Sequence, residues 1–222
     1  MAKRGASEPR KEPVQERSKA MVDALLEASA RILVRDGYPA LSTNRVAEEA
    51  GVSVGSLYQY YPNKEALLVA LMQRWAESIM GEFVALRADL AGASLEPAIA
   101  RVVEQVLSGS RRDAELSRAL LEQVPLIGAR EAWDQLNRRF AELMVSWLER
   151  HLDEIEVEDL ALAAHVLVTS IDSLCNQAIL YRPELLESPR FQEHLEDLAI
   201  GYLAPSRLVA RRAARRPKRR QR

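Results

Sequence analysis

The stretch from Leu41 to Tyr61 constrains this chain more than any other. Its pattern is two short helices joined by a three-residue turn. Val46, Ala47 and Ala50 fall on the inward face of the first helix. Ser42 or Thr43 can cap it, because a hydroxyl satisfies an orphan backbone N–H at a helix start. Gly51 ends it, where the chain needs a left-handed conformation that a Cβ would penalise. Val52 plugs the turn and Ser53 caps a second helix from Val54 to about Tyr60. Pro62 stops that helix, and Asn63 can cap the next. A unit of this shape lets its second helix enter the major groove of DNA.

The second helix is odd in composition. Leu57 and Tyr61 are expected inside, which leaves Val54, Gly55, Ser56, Tyr58, Gln59 and Tyr60 for an outer face with no charge. A merely solvated face usually carries Lys and Glu. Gly55 and Ser56 allow close approach to a phosphate backbone. The hydroxyls of Ser56, Tyr58 and Tyr60 can donate to phosphate oxygens. Gln59 can read adenine in bidentate fashion, and Val54 can pack on a thymine methyl. The competing reading is a turn between two ordinary packed helices.

From about Arg17 to Leu71 the chain resembles the DNA-binding domain of TetR-type (tetracycline-repressor-like) bacterial regulators. The matching residues are Gly37–Tyr38, Ser42–Thr43, Val46–Ala47, Ala50–Gly51–Val52–Ser53, Gly55, Leu57–Tyr58 and Asn63–Lys64–Glu65–Ala66–Leu67. Tyr60–Tyr61 departs from the family, which often has His–Phe there. The resemblance covers only the first third of the chain. It implies phosphate contacts from Thr43, Ser56, Tyr58, Tyr60 and Lys64, and base-edge contacts from Asn44 or Arg45, Val54, Gly55 and Gln59.

Charge assigns DNA contact to the same end. The net charge of −1 is a balance of unlike segments: +2 over 1–64, −12 over 65–206 and +9 over 207–222. DNA repels the middle of the chain and tolerates both ends. The 222 residues are 48% hydrophobic with few aromatics, and Ala, Leu, Glu and Arg dominate, which suits helices. No apolar run approaches the roughly 20 residues needed to span a bilayer, and the first 17 residues are polar. Cys175 is the only cysteine. A soluble cytoplasmic protein without an internal disulfide is expected.

The reading is all-α with about nine helices in two parts: a three-helix DNA-binding domain at 17–64 and a regulatory and dimerisation domain at 65–206. Residues 1–16 form a basic arm, read either as a disordered terminus or as a minor-groove arm carrying Lys3, Arg4, Arg10 and Lys11. Residues 207–222 are read as a disordered basic tail that adds DNA affinity, with attraction to the acidic body as the alternative. Expected helices run from about 17 to 35, 64 to 90, 95 to 108, 112 to 124, 129 to 152, 157 to 181 and 189 to 204. Ser188 caps the last, with Pro189 in its first turn.

The helix near 157–181 carries a heptad seam: Leu160, Ala164, Leu167, Ile171, Leu174 and Ala178. The last helix adds Phe191, Leu195, Leu198 and Tyr202. These residues are the expected dimer face, since the resemblance implies a homodimer built from the last two helices. Packing of both faces within one chain is the alternative. Small-molecule sites combine apolar walls with a few polar groups. The candidates are the aromatics Trp75, Phe83, Trp133, Phe140 and Trp147 with the polar Gln123, Asn137, His165, Thr169, Asp172 and Asn176.

No metal site, cofactor or catalytic constellation is expected; His151, His165 and His194 are scattered. The expected partners are double-stranded operator DNA, a second copy of the chain and a small-molecule effector, with no membrane. Three readings compete: a ligand-released repressor, a DNA-binding regulator without a small ligand, and an enzyme or carrier using the helical cavity.

Overall fold

The computed structural model describes residues 16–90, 92–123 and 130–215, apart from the side chains of 16, 17, 130–134, 136, 214 and 215. Among these residues all regular secondary structure is helical. In order the α-helices are α1 Glu16–Asp36, α2 Thr43–Glu49, α3 Val54–Tyr60, α4 Lys64–Asp89, α5 Leu95–Arg112, α6 Ala114–Gln123, α7 Arg130–Leu148, α8 Leu160–Tyr181, α9 Pro189–Leu203 and α10 Pro205–Arg215. Short 3₁₀ turns at Tyr38–Ala40 and Pro183–Leu185 join neighbours.

Local chemistry sets most helix ends. Ser42 Oγ accepts from Arg45 N at 3.3 Å, Ser53 Oγ from Ser56 N at 3.0 Å, and Asn63 Oδ1 from Ala66 N at 2.8 Å. Asp159 and Ser188 cap α8 and α9 in the same way. Each cap satisfies one of the orphan N–H groups of a first turn. Gly51 closes α2 at φ +67°, the conformation the turn required.

The chain divides into two compact units. The first holds residues up to Ile79 together with Asp113–Asp134. Its core gathers Leu25, Leu26, Ile32 and Leu33 of α1, Val46 and Ala47 of α2, Leu57 of α3, and Leu67, Leu68 and Leu71 of α4. Ser29 is fully buried among them because its hydroxyl donates back to Leu25 O at 2.8 Å. Leu120 of α6 is buried in the same cluster, with Leu116 and Ala119 packed against it. The second unit holds Met80–Arg112 and Gln135–Arg222. The 26 residues of α4, about 39 Å long, contribute to both units.

Two expectations are corrected. The basic tail is not disordered from 207: α10 continues to Arg215 and packs on α9, so the described residues hold ten α-helices rather than nine. Acidic groups of the body hold it there. Glu156 Oε1 accepts from Ser206 N at 3.1 Å and from the Ser206 hydroxyl, capping α10 from a distant loop. Arg207 pairs with Glu154 at 3.0 Å, Arg211 with Glu196, and Arg212 with Asp197 at 3.5 Å. Attraction to the acidic body therefore describes this segment as far as Arg212, while 216–222 lies outside the described residues, as does the arm at 1–15. The second correction is the end of α7. It stops at Leu148, and Glu149–Asp159 forms an irregular connection fastened by the bond from Glu156 N to Leu203 O at 2.7 Å.

Candidate functional site

The first unit presents α3 as an exposed helix on a capped turn. Val54 is 36% and Tyr58 41% exposed, and Gly55 and Gln59 also face solvent. Ser56 is half-buried, and its hydroxyl sits 2.8 Å from that of Ser53. Asn44 is exposed, and Thr43 and Arg45 are half-buried at the start of α2. Thr43 Oγ1 lies 3.1 Å from the Tyr58 hydroxyl, so the two elements present one joined polar edge.

Tyr60 is a correction. The sequence places it on the outer face as a phosphate donor, yet it is 4% exposed and belongs to the core. Leu57, Tyr60 and Tyr61 stand at i, i+3 and i+4, so they form one inward stripe. Burial pushes the Tyr61 hydroxyl up to about 12.

Charged groups flank this face. Asp36 pairs with Arg45 and, at 3.0 Å, with Arg35. Arg31 and Arg35 hold Glu49 at 3.2 and 3.3 Å and keep its carboxyl below the usual range. Lys64 Nζ sits 4.1 Å above the centre of the Tyr38 ring, a cation–π contact that leaves the ammonium near the head surface. The Tyr38 hydroxyl donates to Glu65 at 3.1 Å; burial, with Glu65 beside it, raises its pKa. Asp36 and Tyr38 were not candidates from the sequence, since nothing in helical periodicity marks a residue that orients a neighbour.

The second unit contains an apolar cavity. Ile99, Val102 and Val103 of α5 and Met144 and Trp147 of α7 form one side. Leu167 and Ile171 of α8 and Ala199 and Leu203 of α9 form the other. It offers about 20 Å³ to the centre of a water molecule. Trp147 is 6% exposed, and its indole N–H has no acceptor among the described residues. Its ring lies 4.5 Å from that of His151. His151 Nδ1 lies 3.1 Å from Glu154 Oε1, which also accepts from Leu95 N at 3.1 Å. Burial would raise the Glu154 carboxyl, but His151, the Leu95 N–H and Arg207 outweigh it and hold it below the usual carboxylate range.

Of the ligand candidates, only Trp147 lines this cavity. Trp75 packs against the core of the first unit, and Gln123 belongs to the same unit. Phe83 and Phe140 meet edge to face at 5.2 Å, and Asn137 is half-buried; none of the three lines the cavity. The Trp133 side chain lies outside the described residues. His165 and Thr169 are exposed, and Asn176 Nδ2 donates to Asp172 at 3.0 Å. The polar row of α8 does not line this cavity. His165 and Thr169 stand two positions from Leu167, about 200° around the helix and hence on its other side.

The heptad seam is also corrected. Ala164, Leu167, Ile171, Ala178 and Leu195 are buried within the single chain, so they are not free to form a dimer face. The buried stripe steps from Ile171 to Cys175, which leaves Leu174 38% exposed. Leu198 and Tyr202 are exposed as well, and Leu160 and Phe191 are half-buried. Cys175 is buried, and burial with Asp172 nearby pushes its thiol up to about 12, which disfavours the reactive thiolate. Among the described residues no His, Cys, Asp and Glu cluster is arranged to hold a metal, and no helix is long and apolar enough to cross a membrane.

Comparisons with known proteins agree with this architecture. Residues 25–71 match the family described as bacterial regulatory proteins, tetR family, and residues 94–203 match the tetracyclin repressor-like C-terminal domain. The HTH-type transcriptional repressor KstR of Mycolicibacterium smegmatis is 34% identical over 114 residues, 51% of this chain and 53% of that protein. The chain thus spans about half the length of that curated relative. A TetR transcription regulator from Haloarcula marismortui superposes with a TM-score of 0.66 at 22% identity, covering 84% of this chain and 98% of that one. The fatty acid degradation regulator FadR of Bacillus halodurans gives 0.63 at 17% identity, covering 87% and 96%. With both parts of the chain matched in order and the fold shared throughout, this protein belongs to the TetR family.

Proposed function

We propose that the chain is a transcription repressor that binds operator DNA as a homodimer through α3 and is released by a small molecule held in the second unit. The observation that carries the DNA reading is the exposed, uncharged face of α3, joined to α2 through the Thr43–Tyr58 hydroxyl pair. Thr43, Ser56, Tyr58 and Lys64 supply phosphate contacts, which set position. Asn44 or Arg45, with Val54, Gly55 and Gln59, face the base edges. The partner copy packs on the apolar residues that one chain leaves exposed, Leu174 and Tyr181 of α8 with Leu198 and Tyr202 of α9. A two-fold dimer meets a palindromic operator with its recognition helices about 34 Å apart. KstR, described as a repressor, supports that direction of control. The domain reading is a head to about Lys64 and a regulatory body beyond it, with α4 shared between them as the mechanical link.

The ligand must bind the DNA-incompetent form better, and a tenfold preference corresponds to about 1.4 kcal/mol. A duplex selected from random DNA by the full chain tests the reading. Gln59→Ala should change base preference at one operator position, and Leu198→Glu should give monomers with weakened operator affinity. A uniform loss across all sequences for the first, or an intact dimer for the second, refutes the corresponding assignment.

A further inference from the structure

The last residue of α1, Asp36, places a carboxylate where a helix favours a cation, since its C-terminal end carries partial negative charge. The compensation comes from arginines. Arg45 of α2 donates to Asp36 Oδ2 through Nη2, and Arg35 donates to the same oxygen through Nε at 3.0 Å. Glu49 of α2 accepts from Arg31 at 3.2 Å and from Arg35 at 3.3 Å. Arg45 and Glu49 stand at i and i+4, so they share one flank of α2. That flank is closed against α1 by a clamp of three arginines and two carboxylates.

Asn44 lies about 100° round α2 from Arg45, outside the clamp, and is exposed. It follows Thr43, whose hydroxyl lies 3.1 Å from that of Tyr58 and joins α2 to the exposed helix α3. Glu48, one turn beyond Asn44 on the same flank, is an exposed acid that phosphate repels, so contact there is confined to the first turn of α2. A guanidinium drawn out of the clamp would leave Asp36 less neutralised beside a polyanion, which opposes the exchange. The two α2 candidates therefore differ in kind. An amide reads adenine through one donor and one acceptor, whereas a free arginine takes a phosphate or a guanine.

We propose that Asp36 is a positioning residue: it holds Arg45 in the clamp and off the DNA, and leaves Asn44 as the residue of α2 that reads a base edge. The inference rests on the DNA-binding reading above and decides between its two α2 candidates. Variants of the full chain test it by repeated selection from random DNA and by fluorescence anisotropy on the selected duplex across a salt series. Thermal melts establish which variants fold. Asp36→Asn keeps the shape and removes the charge, so the freed Arg45 should tighten binding and steepen the slope of log K against log salt by about 0.9 per protomer. Asp36→Glu keeps the pair and should retain the original slope. Arg45→Gln combined with Asp36→Asn removes the whole pair and should return both slope and base preference to those of the unaltered chain. Asn44→Ala should change base preference at one operator position with no change of slope. An unchanged slope for Asp36→Asn, an altered base preference in the double variant, or an unaltered one for Asn44→Ala overturns the inference. Should Asp36→Asn not fold, the base preferences of Arg45→Gln and Asn44→Ala decide alone, since neither removes a carboxylate. If the unaltered chain selects no duplex, the DNA-binding reading itself falls. If Gln59→Ala shifts its base position while Asn44→Ala shifts none, that reading stands and the assignment to Asn44 falls.

Discussion

Tyr58 and Tyr60 lie two residues apart on α3 and should behave in opposite ways on DNA. Tyr58 is 41% exposed with its hydroxyl 3.1 Å from Thr43 Oγ1, whereas Tyr60 is 4% exposed. Replacing Tyr58 by Phe removes one donor to a charged phosphate. Hydrogen bonds to charged groups contribute about 1.5–3 kcal/mol, so each protomer's contact should weaken by about 10- to 150-fold. The hydroxyl is neutral and displaces no counter-ion, so the slope of log K against log salt should not change. Lys64→Ala should instead weaken binding to all sequences and reduce that slope by about one per protomer. Tyr60→Phe should leave DNA affinity within about twofold, about 0.4 kcal/mol, since its buried side chain makes no phosphate contact to lose. Fluorescence anisotropy on the selected duplex across a salt series reads all three variants. Equal losses for Tyr58→Phe and Tyr60→Phe would refute the burial argument. A reduced salt slope for Tyr58→Phe would refute its role as a neutral donor.

Two stability predictions concern the second unit. A Cβ at Gly201 would lie 2.6 Å from Leu208 Cδ2, so Gly201→Ala requires the Leu208 side chain to move, a cost set against the about 1 kcal/mol by which alanine is the better helix former. In a Leu208→Ala background the same change should therefore stabilise by about that 1 kcal/mol; denaturant melts showing the same effect in both backgrounds would disprove the contact. Glu154 has its folded pKa below its ordinary value of 4.5, so it contributes stability that is present above that value and lost as pH falls through the folded pKa. Glu154→Gln should lower the melting temperature at pH 7 and flatten the acid limb below about 4.5; a variant that keeps the full limb would contradict this.

The turn and its caps were legible because they are local. Ser42, Gly51, Ser53 and Asn63 act on backbone groups within a few residues, so spacing alone placed α2 and α3. The same holds for Leu25, Ile32 and Leu33, whose helical period marked the buried face of α1 before any partner was known. Family resemblance extended that reading to DNA, and the outward placement of Tyr60, read from the composition of α3 and kept by the resemblance, fails because its own helix turns it inward.

Allocation of faces was beyond the sequence. A helix with two apolar stripes does not say which one meets its own chain, and α8 spends Leu167 and Ile171 on the cavity wall and leaves Leu174 outside. Nor does a stretch such as Pro205–Arg215 show that Glu156 caps its start and that Glu154, Glu196 and Asp197 neutralise its arginines. Like charges close together in sequence repel until opposite charges distant in sequence arrive. The sequence by itself determined the capped helices of the first unit and most helix bounds beyond it, though not the end of α7 or the existence of α10, because 3.6-residue periodicity and capping are near-neighbour physics. Tertiary structure alone decided which faces are core and that the basic end folds onto the acidic body. Each of these depends on groups brought together across many residues of chain.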